Sequence, residues 1–230
     1  MRDENEQRLL RNFFGEKPGF FVDVGANHPF DGSQSWHLEQ NGWNGILVEP
    51  QPELAQELTR VRKAKVFAVA CSSPKNAGLQ LPFYVAGPLS SLDRHEMAPG
   101  AKAEAVIEVP IRTLDDVLTE ACAPQPIDFL SVDVEGHEID VLRGFDASRW
   151  LPRLIMIEDH VRSLRKHRFM KSIGYRLVRR IEFNGWYVPA DSPISFDWVD
   201  RVRIWRKYYL GLPFRMARDA SRRARRRLAG

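Results

Sequence analysis

Gly19-Phe20-Phe21-Val22-Asp23-Val24-Gly25-Ala26-Asn27 is the stretch that decides how this chain is read. Phe20 to Val24 is a short apolar run with both faces hydrophobic, the mark of a strand buried inside a parallel sheet. The small residues Gly25 and Ala26 end it in a turn where a backbone can come close to a ligand. A helix is expected from about Ser33 to Gln40, with Gly42 as its stop signal. Strand, small-residue turn and helix together cradle a nucleotide-like cofactor at the carboxyl end of a parallel sheet.

Outward from that stretch the pattern repeats. Gly45 to Val48 is a second apolar run closed by Glu49, Pro52 to Leu58 reads as a helix, and Lys65 to Ala70 as a third strand. This βαβαβ spacing predicts an α/β fold with a doubly wound, mostly parallel sheet and helices on both faces. Residues 79–111 break the rhythm as a hairpin-like edge insertion around a long loop. Thr113 opens a helix with Asp116 in the capping-box position. Further strands are expected at Ile127–Val134 and Leu154–Ile157, then around 175–180 and 186–188. The expected domains are 1–195 for the α/β body and 196–230 for a basic helical tail.

The turn after the first strand is no dinucleotide fingerprint, because only Gly25 of a G-x-G-x-x-G set is in place. An acid two residues earlier, Asp23, repels a pyrophosphate but suits a ligand with an ammonium group. Asn27 adds a hydrogen bond. Glu49 ends the second strand near the spacing at which an acid grips ribose hydroxyls. Tight structural turn and helix cap are the competing readings of these residues.

Asp133-Val-Glu135-Gly-His137-Glu138 ends the fourth strand and supplies candidates for a general base: Asp133, Glu135 and His137. An imidazole with an ordinary pKa of about 6.5 suits that task. The alternative is that His137 and Glu138 merely form the first turn of a helix. Glu158 and Asp159, with Asp133, form a hard-oxygen set that would suit Mg²⁺ or Ca²⁺. Metal-free base catalysis is the preferred reading of the two.

Phe21 to Asn27, Gly42-Trp-Asn-Gly-Ile-Leu-Val-Glu-Pro50, Thr113-Leu-Asp-Asp116 and Asp133 to Glu138 resemble, in order, the blocks of FkbM-type methyltransferases. The resemblance covers about residues 20–160. It implies a class I (Rossmann-like) methyltransferase fold, S-adenosylmethionine as methyl donor, and O-methylation of a sugar or natural-product hydroxyl. Carried over by position, Asp23, Gly25 and Asn27 face the methionine part, Glu49 the ribose, and Ala70 and Cys71 the adenine. His28-Pro29-Phe30 departs from the small-polar stretch usual after the asparagine.

Charge is divided unevenly. Residues 201–230 carry 11 Lys/Arg and one Asp, while the other 200 residues are net −6. Trp198, Val202, Trp205, Tyr209 and Leu212 recur at helical spacing, with Pro213 expected to break or restart the helix. The stripe is expected to pack at least partly on protein or on a partner, and the arginine-rich end to meet an anionic membrane, ahead of nucleic acid. The basic run from Arg162 to Lys171 is read as a solvated helix face, with phosphate binding as the alternative.

Two cysteines give no disulfide framework, and no apolar run reaches the roughly 18 residues of a membrane span. The expected protein is a cytoplasmic glycan O-methyltransferase, peripheral on the inner membrane face, with its oligomeric state open. The rivals are a methyltransferase of a small natural product and an inactive module that keeps the cofactor fold.

Overall fold

Continuous apolar runs bury both faces of a strand, and the central strands here have that composition. A computed structural model describes residues 2–94, 102–161, 163–194, 198–215 and 217, with side chains from residue 6 onward. It divides into two compact units, 1–157 and 158–230.

In the first unit, β1 (Phe20–Val24), β2 (Asn44–Val48), β3 (Lys65–Phe67), β7 (Phe129–Val132) and β8 (Leu154–Glu158) form a parallel array in the order β3-β2-β1-β7-β8. Phe21, Val22, Leu47, Phe129, Leu130 and Ile155 are fully buried, as strands covered on both faces require. The chain winds outward from β1 to β3, then crosses to β7 and winds outward again. Right-handed crossovers put the connecting helices on opposite faces of the two halves. The switch point therefore lies between β1 and β7, where such sheets open a crevice at their carboxyl ends. The doubly wound α/β expectation holds.

The third strand is shorter than the sequence suggests. β3 stops at Phe67, and Ala70–Cys71 forms a separate strand, β4, that joins the insertion. β5 (Gln80–Val85) and β6 (Ala105–Arg112) pair antiparallel, and β4 pairs with β6. Ala70, Phe83, Val109 and Ile111 make its own small core. The predicted edge hairpin is thus a three-stranded sheet, with Pro99 and Gly100 of its loop outside the described residues.

Helix α2 (Trp36–Gln40) starts later than expected, after Ser35. α3 (Pro52–Val61) has Pro at its first turn, as its missing N–H allows. α4 (Leu114–Glu120) is capped as read: Thr113 Oγ1 accepts the Asp116 N–H at 3.1 Å. α5 (Glu138–Arg143) follows the turn after β7.

In the second unit, α7 (Arg165–Ser172) precedes an antiparallel hairpin, β9 (Tyr175–Ile181) and β10 (Asn184–Pro189). Then come α8 (Trp198–Trp205) and one π-helical turn, Arg206–Leu210. The tail helix packs with this hairpin inside the second unit. Pro213 does not break the helix, which continues through residues 211–215. The wider turn ahead of it has the Gly211 N–H bonded to the Arg206 carbonyl, and such a bulge re-registers the carbonyls that a proline ring would otherwise meet.

The tail stripe packs only in part, at Leu212 and less fully at Val202. Trp198, Trp205 and Tyr209 are exposed, whereas Asp200, Tyr208 and Leu212 are buried. Ala220, Ala224, Leu228 and the arginine-rich end lie outside the described residues, as does Arg162. Among the described residues no helix is long and apolar enough to cross a membrane.

Candidate functional site

The turns that follow β1 and β7 touch. A Cβ built on Gly25 would lie 1.9 Å from the Asp133 carbonyl oxygen, and Gly25 sits at φ 89°. Glycine is needed here because another backbone, not a ligand, passes over it. Gly25 and Ala26 N–H both donate to the Val48 carbonyl, and Asp133 N–H donates to Val24. These bonds fasten the ends of β1, β2 and β7 into one floor. Each of these turns also carries a non-glycine residue at positive φ, Asn27 (49°) and Glu135 (49°).

A cleft opens over that floor in two lobes. The wide lobe measures about 510 Å³ and is bordered by Asp23, His28, Asp31 and Gln34. The other is a narrow slot of about 50 Å³, bordered by Glu49, Ala70, Cys71, Phe83, Leu92 and His137. Gly25, Asn27, Asp133 and Glu135 border both. All nine residues expected to bind cofactor or act in catalysis therefore converge on one cleft in the first unit. A volume of this size is that of an ordinary small-molecule site.

Glu49 is 3% exposed and held by backbone. Its Oε2 accepts the Asn27 N–H at 2.8 Å and its Oε1 the Gln51 N–H at 2.9 Å. Each carboxylate oxygen has a second lone pair. Burial raises its pKa, the two backbone N–H bonds pull it back, and the Asp23 charge pushes it up again. Glu49 does not cap α3: the N–H it accepts belongs to Gln51, which precedes the helix, and α3 has no side-chain cap bond.

Asp23 is more enclosed, at 2% exposure. Ser35 Oγ donates to its Oδ2 at 2.6 Å. Burial raises this pKa too, against the Ser35 bond, the Arg62 charge and a Ser131 bond. Ser35 precedes α2 but does not cap it; its hydroxyl serves Asp23 instead.

Behind this stands a residue that the sequence reading missed. The fully buried Arg62 donates to the Pro29 carbonyl, Ser33 Oγ and Ser35 Oγ, and pairs with Glu39 at 3.3 Å. It ties the 28–35 loop to the end of α3. A lone arginine after a helix carries no periodic signal that could have announced this.

His137 lies in the narrow lobe, its Nε2 2.9 Å from Ser72 Oγ, which also accepts from Asn76. Burial holds its pKa below the usual imidazole range despite Asp140 and Asp93. His28 borders the wide lobe instead. Its Nδ1 accepts the Phe30 and Asp31 N–H groups at 3.2 and 3.0 Å, so a neutral ring carries its proton on Nε2 and presents a donor there. Cys71 is buried, and its thiol is pushed up to about 12 by desolvation, which leaves it a packing residue and no nucleophile.

In the second unit, both oxygens of Asp159 are engaged. Tyr208 Oη donates to Oδ2 at 2.7 Å and Val161 N–H to Oδ1 at 2.7 Å. Glu158 pairs with His160 Nε2 at 3.0 Å. The basic run also disperses: Lys166 Nζ holds the Glu158 carbonyl and the His167 ring lies against Tyr187 and Tyr208, while Arg165, Arg168 and Lys171 are exposed.

The family follows from a comparison of sequence. Residues 23–177, which begin at Asp23 and include both turns of the cleft, match the model of the methyltransferase FkbM domain. The chain belongs to the FkbM methyltransferase family. A protein of the fungus Beauveria bassiana described as methyltransferase 1 is 32% identical over 152 residues, 57% of this chain. The chain spans 60% of that relative's length. A methyltransferase from Geobacter sulfurreducens, solved by crystallography, covers 81% of this chain and is covered over 76% of its own. At 15% identity and a TM-score of 0.39 it is too loose a likeness to inform individual residues.

Proposed function

We propose that this chain is an S-adenosylmethionine-dependent O-methyltransferase whose acceptor is a hydroxyl of a glycan or glycolipid. The observation that carries the acceptor class is the lining of the wide lobe. Asp23, Asn27, His28, Asp31, Gln34, Asp133 and Glu135 all border it, a set matched to a polyhydroxylated molecule and poorly matched to an apolar natural product. The methyl donor fits the rest. Two buried acids with raised pKa values suit a cationic ligand, and Glu49 keeps lone pairs for ribose hydroxyls. The apolar part of the narrow lobe, Ala70, Cys71, Phe83 and Leu92, suits an adenine ring.

When bound, S-adenosylmethionine supplies an electrophilic methyl on a sulfonium. The chain's part is to orient an acceptor hydroxyl and to take up its proton as the new C–O bond forms. Asp133 and Glu135 border both lobes, so the base is assigned to this pair. His137 is assigned to the adenine side by its bond to Ser72. His28 donates from Nε2 and orients the acceptor. No step is assigned to a metal.

Calorimetry with S-adenosylmethionine on the full chain is the first test. Binding in the micromolar range is expected, and none would overturn the assignment. Glycan fractions incubated with donor should then gain the mass of one CH₂ per acceptor, unchanged by chelator. A loss of turnover on chelation, restored by Mg²⁺, would replace the metal-free scheme.

A further inference from the structure

The tail helix packs by its polar side and shows its aromatic side to solvent. Arg179 Nε bonds Asp200 Oδ2 at 2.7 Å, Tyr208 Oη bonds Asp159, and Lys207 Nζ reaches the Glu182 carbonyl at 3.2 Å. Leu212 adds a buried apolar contact. These anchors fix one face of the helix in the second unit. On the other, Trp198 is 73% exposed, Trp205 54% and Tyr209 58%, at positions four and three residues apart through Val202. Phe214, one turn further, is 79% exposed. Four large exposed rings between residues 198 and 214 are more apolar surface than a solvated helix usually shows.

Cations flank the rings. Arg201, Arg203 and Arg206 are exposed on the same helix, within a terminal segment that carries one acid among its thirty residues. The first 200 residues are net −6, so an anionic surface attracts the tail and repels the rest. Tryptophan and tyrosine beside arginine match the boundary between lipid headgroups and acyl chains, where a ring is half buried and a guanidinium meets phosphate. We propose that the Trp198–Trp205–Tyr209 face of the tail helix is an interfacial docking surface for an anionic lipid bilayer. The helix lies in the plane of the headgroups, and the arginines hold lipid phosphates on either side. A nucleic acid would use the same charge, and the RNA competition below separates the two.

The inference stands apart from methyl transfer, because it is tested without methyl donor. The full chain is mixed with phosphatidylcholine vesicles, with and without phosphatidylglycerol, and sedimented. Binding should require the anionic lipid, shift the tryptophan emission to the blue and weaken with salt. The triple variant W198A/W205A/Y209A keeps every arginine and alters only exposed side chains, so its thermal melt should be unchanged. Its vesicle affinity should fall by roughly tenfold or more. R201Q/R206Q should lose several-fold, and only at low salt. Equal binding by the triple variant would overturn the proposal, since charge alone would then suffice. So would absence of binding by the wild type, displacement from vesicles by stoichiometric RNA, or a dimer that the triple variant dissociates.

Discussion

Acids at the ends of parallel strands occur in both units, and they have opposite fates. Glu49, after β2, is buried and backbone-bonded, yet it borders a cleft. Asp159, after β8, is as deeply buried, but Tyr208 and the Val161 N–H take its oxygens. One acid borders a cavity, and the other fastens the tail helix. A carboxylate at a strand end becomes a ligand only where the fold leaves space above it. Burial and hydrogen bonding alone do not distinguish the two cases.

The largest expected effect breaks the floor under the first acid. Gly25→Ala drives a methyl into the Asp133 carbonyl and forces alanine to φ 89°. We expect a loss of about 3 kcal/mol or more, read as a fall in melting temperature of roughly 6–12 °C, with S-adenosylmethionine binding abolished. A variant that melts like wild type would show that the two turns relax apart easily.

Next come the acids themselves. Glu49→Gln removes the charge and should weaken donor binding by about 10- to 100-fold, the worth of charged hydrogen bonds; its amide nitrogen also meets one of the two backbone N–H groups that Glu49 accepts, so about 1–3 kcal/mol of stability goes with it. Tyr208→Phe should separate the two effects. It strands a buried carboxylate oxygen and costs about 1–3 kcal/mol of stability, while donor affinity stays at the wild-type value. If Tyr208→Phe weakened the donor as much as Glu49→Gln, the contrast between the two units would collapse.

The sequence made much of this legible, and for a definite reason. Continuous apolar runs ending in Asp23, Glu49 and Asp133 mark strands whose carboxyl ends share one edge, so every residue expected at the cleft borders it. What remained illegible depends on contacts across the fold. Arg62 is tied to Pro29, Ser33, Ser35 and Glu39 by bonds that no local pattern encodes. Gly25 was legible as a tight turn, but not as the place where the Asp133 backbone crosses. The tail shows a deeper limit. Its apolar period is real, yet period does not tell which face is buried when polar anchors, Arg179 with Asp200 and Asp159 with Tyr208, hold the helix. Hydrophobic spacing was read as packing because hydrophobic burial is the usual reason for it.

The smallest expected effect is the most specific to the first acid. Desolvation raises the pKa of both Asp23 and Glu49, so the free protein holds protons there at pH values where an exposed carboxylate would be ionised. For folding, a raised pKa means that stability is fully present below the unfolded value and is lost as pH rises through the folded one. A cation in the cleft opposes that loss, because it favours the ionised form. Donor binding should therefore release protons, and affinity should rise a few-fold as pH climbs from the ordinary carboxylate range, about 4, through the raised values. Calorimetry in two buffers of different ionisation enthalpy reads the proton release directly. In Glu49→Gln the release should shrink to the share of Asp23 alone, whereas in Tyr208→Phe it should match wild type. Proton uptake on binding, or a release untouched by Glu49→Gln, would mean that the ionising group sits elsewhere than the floor of this cleft.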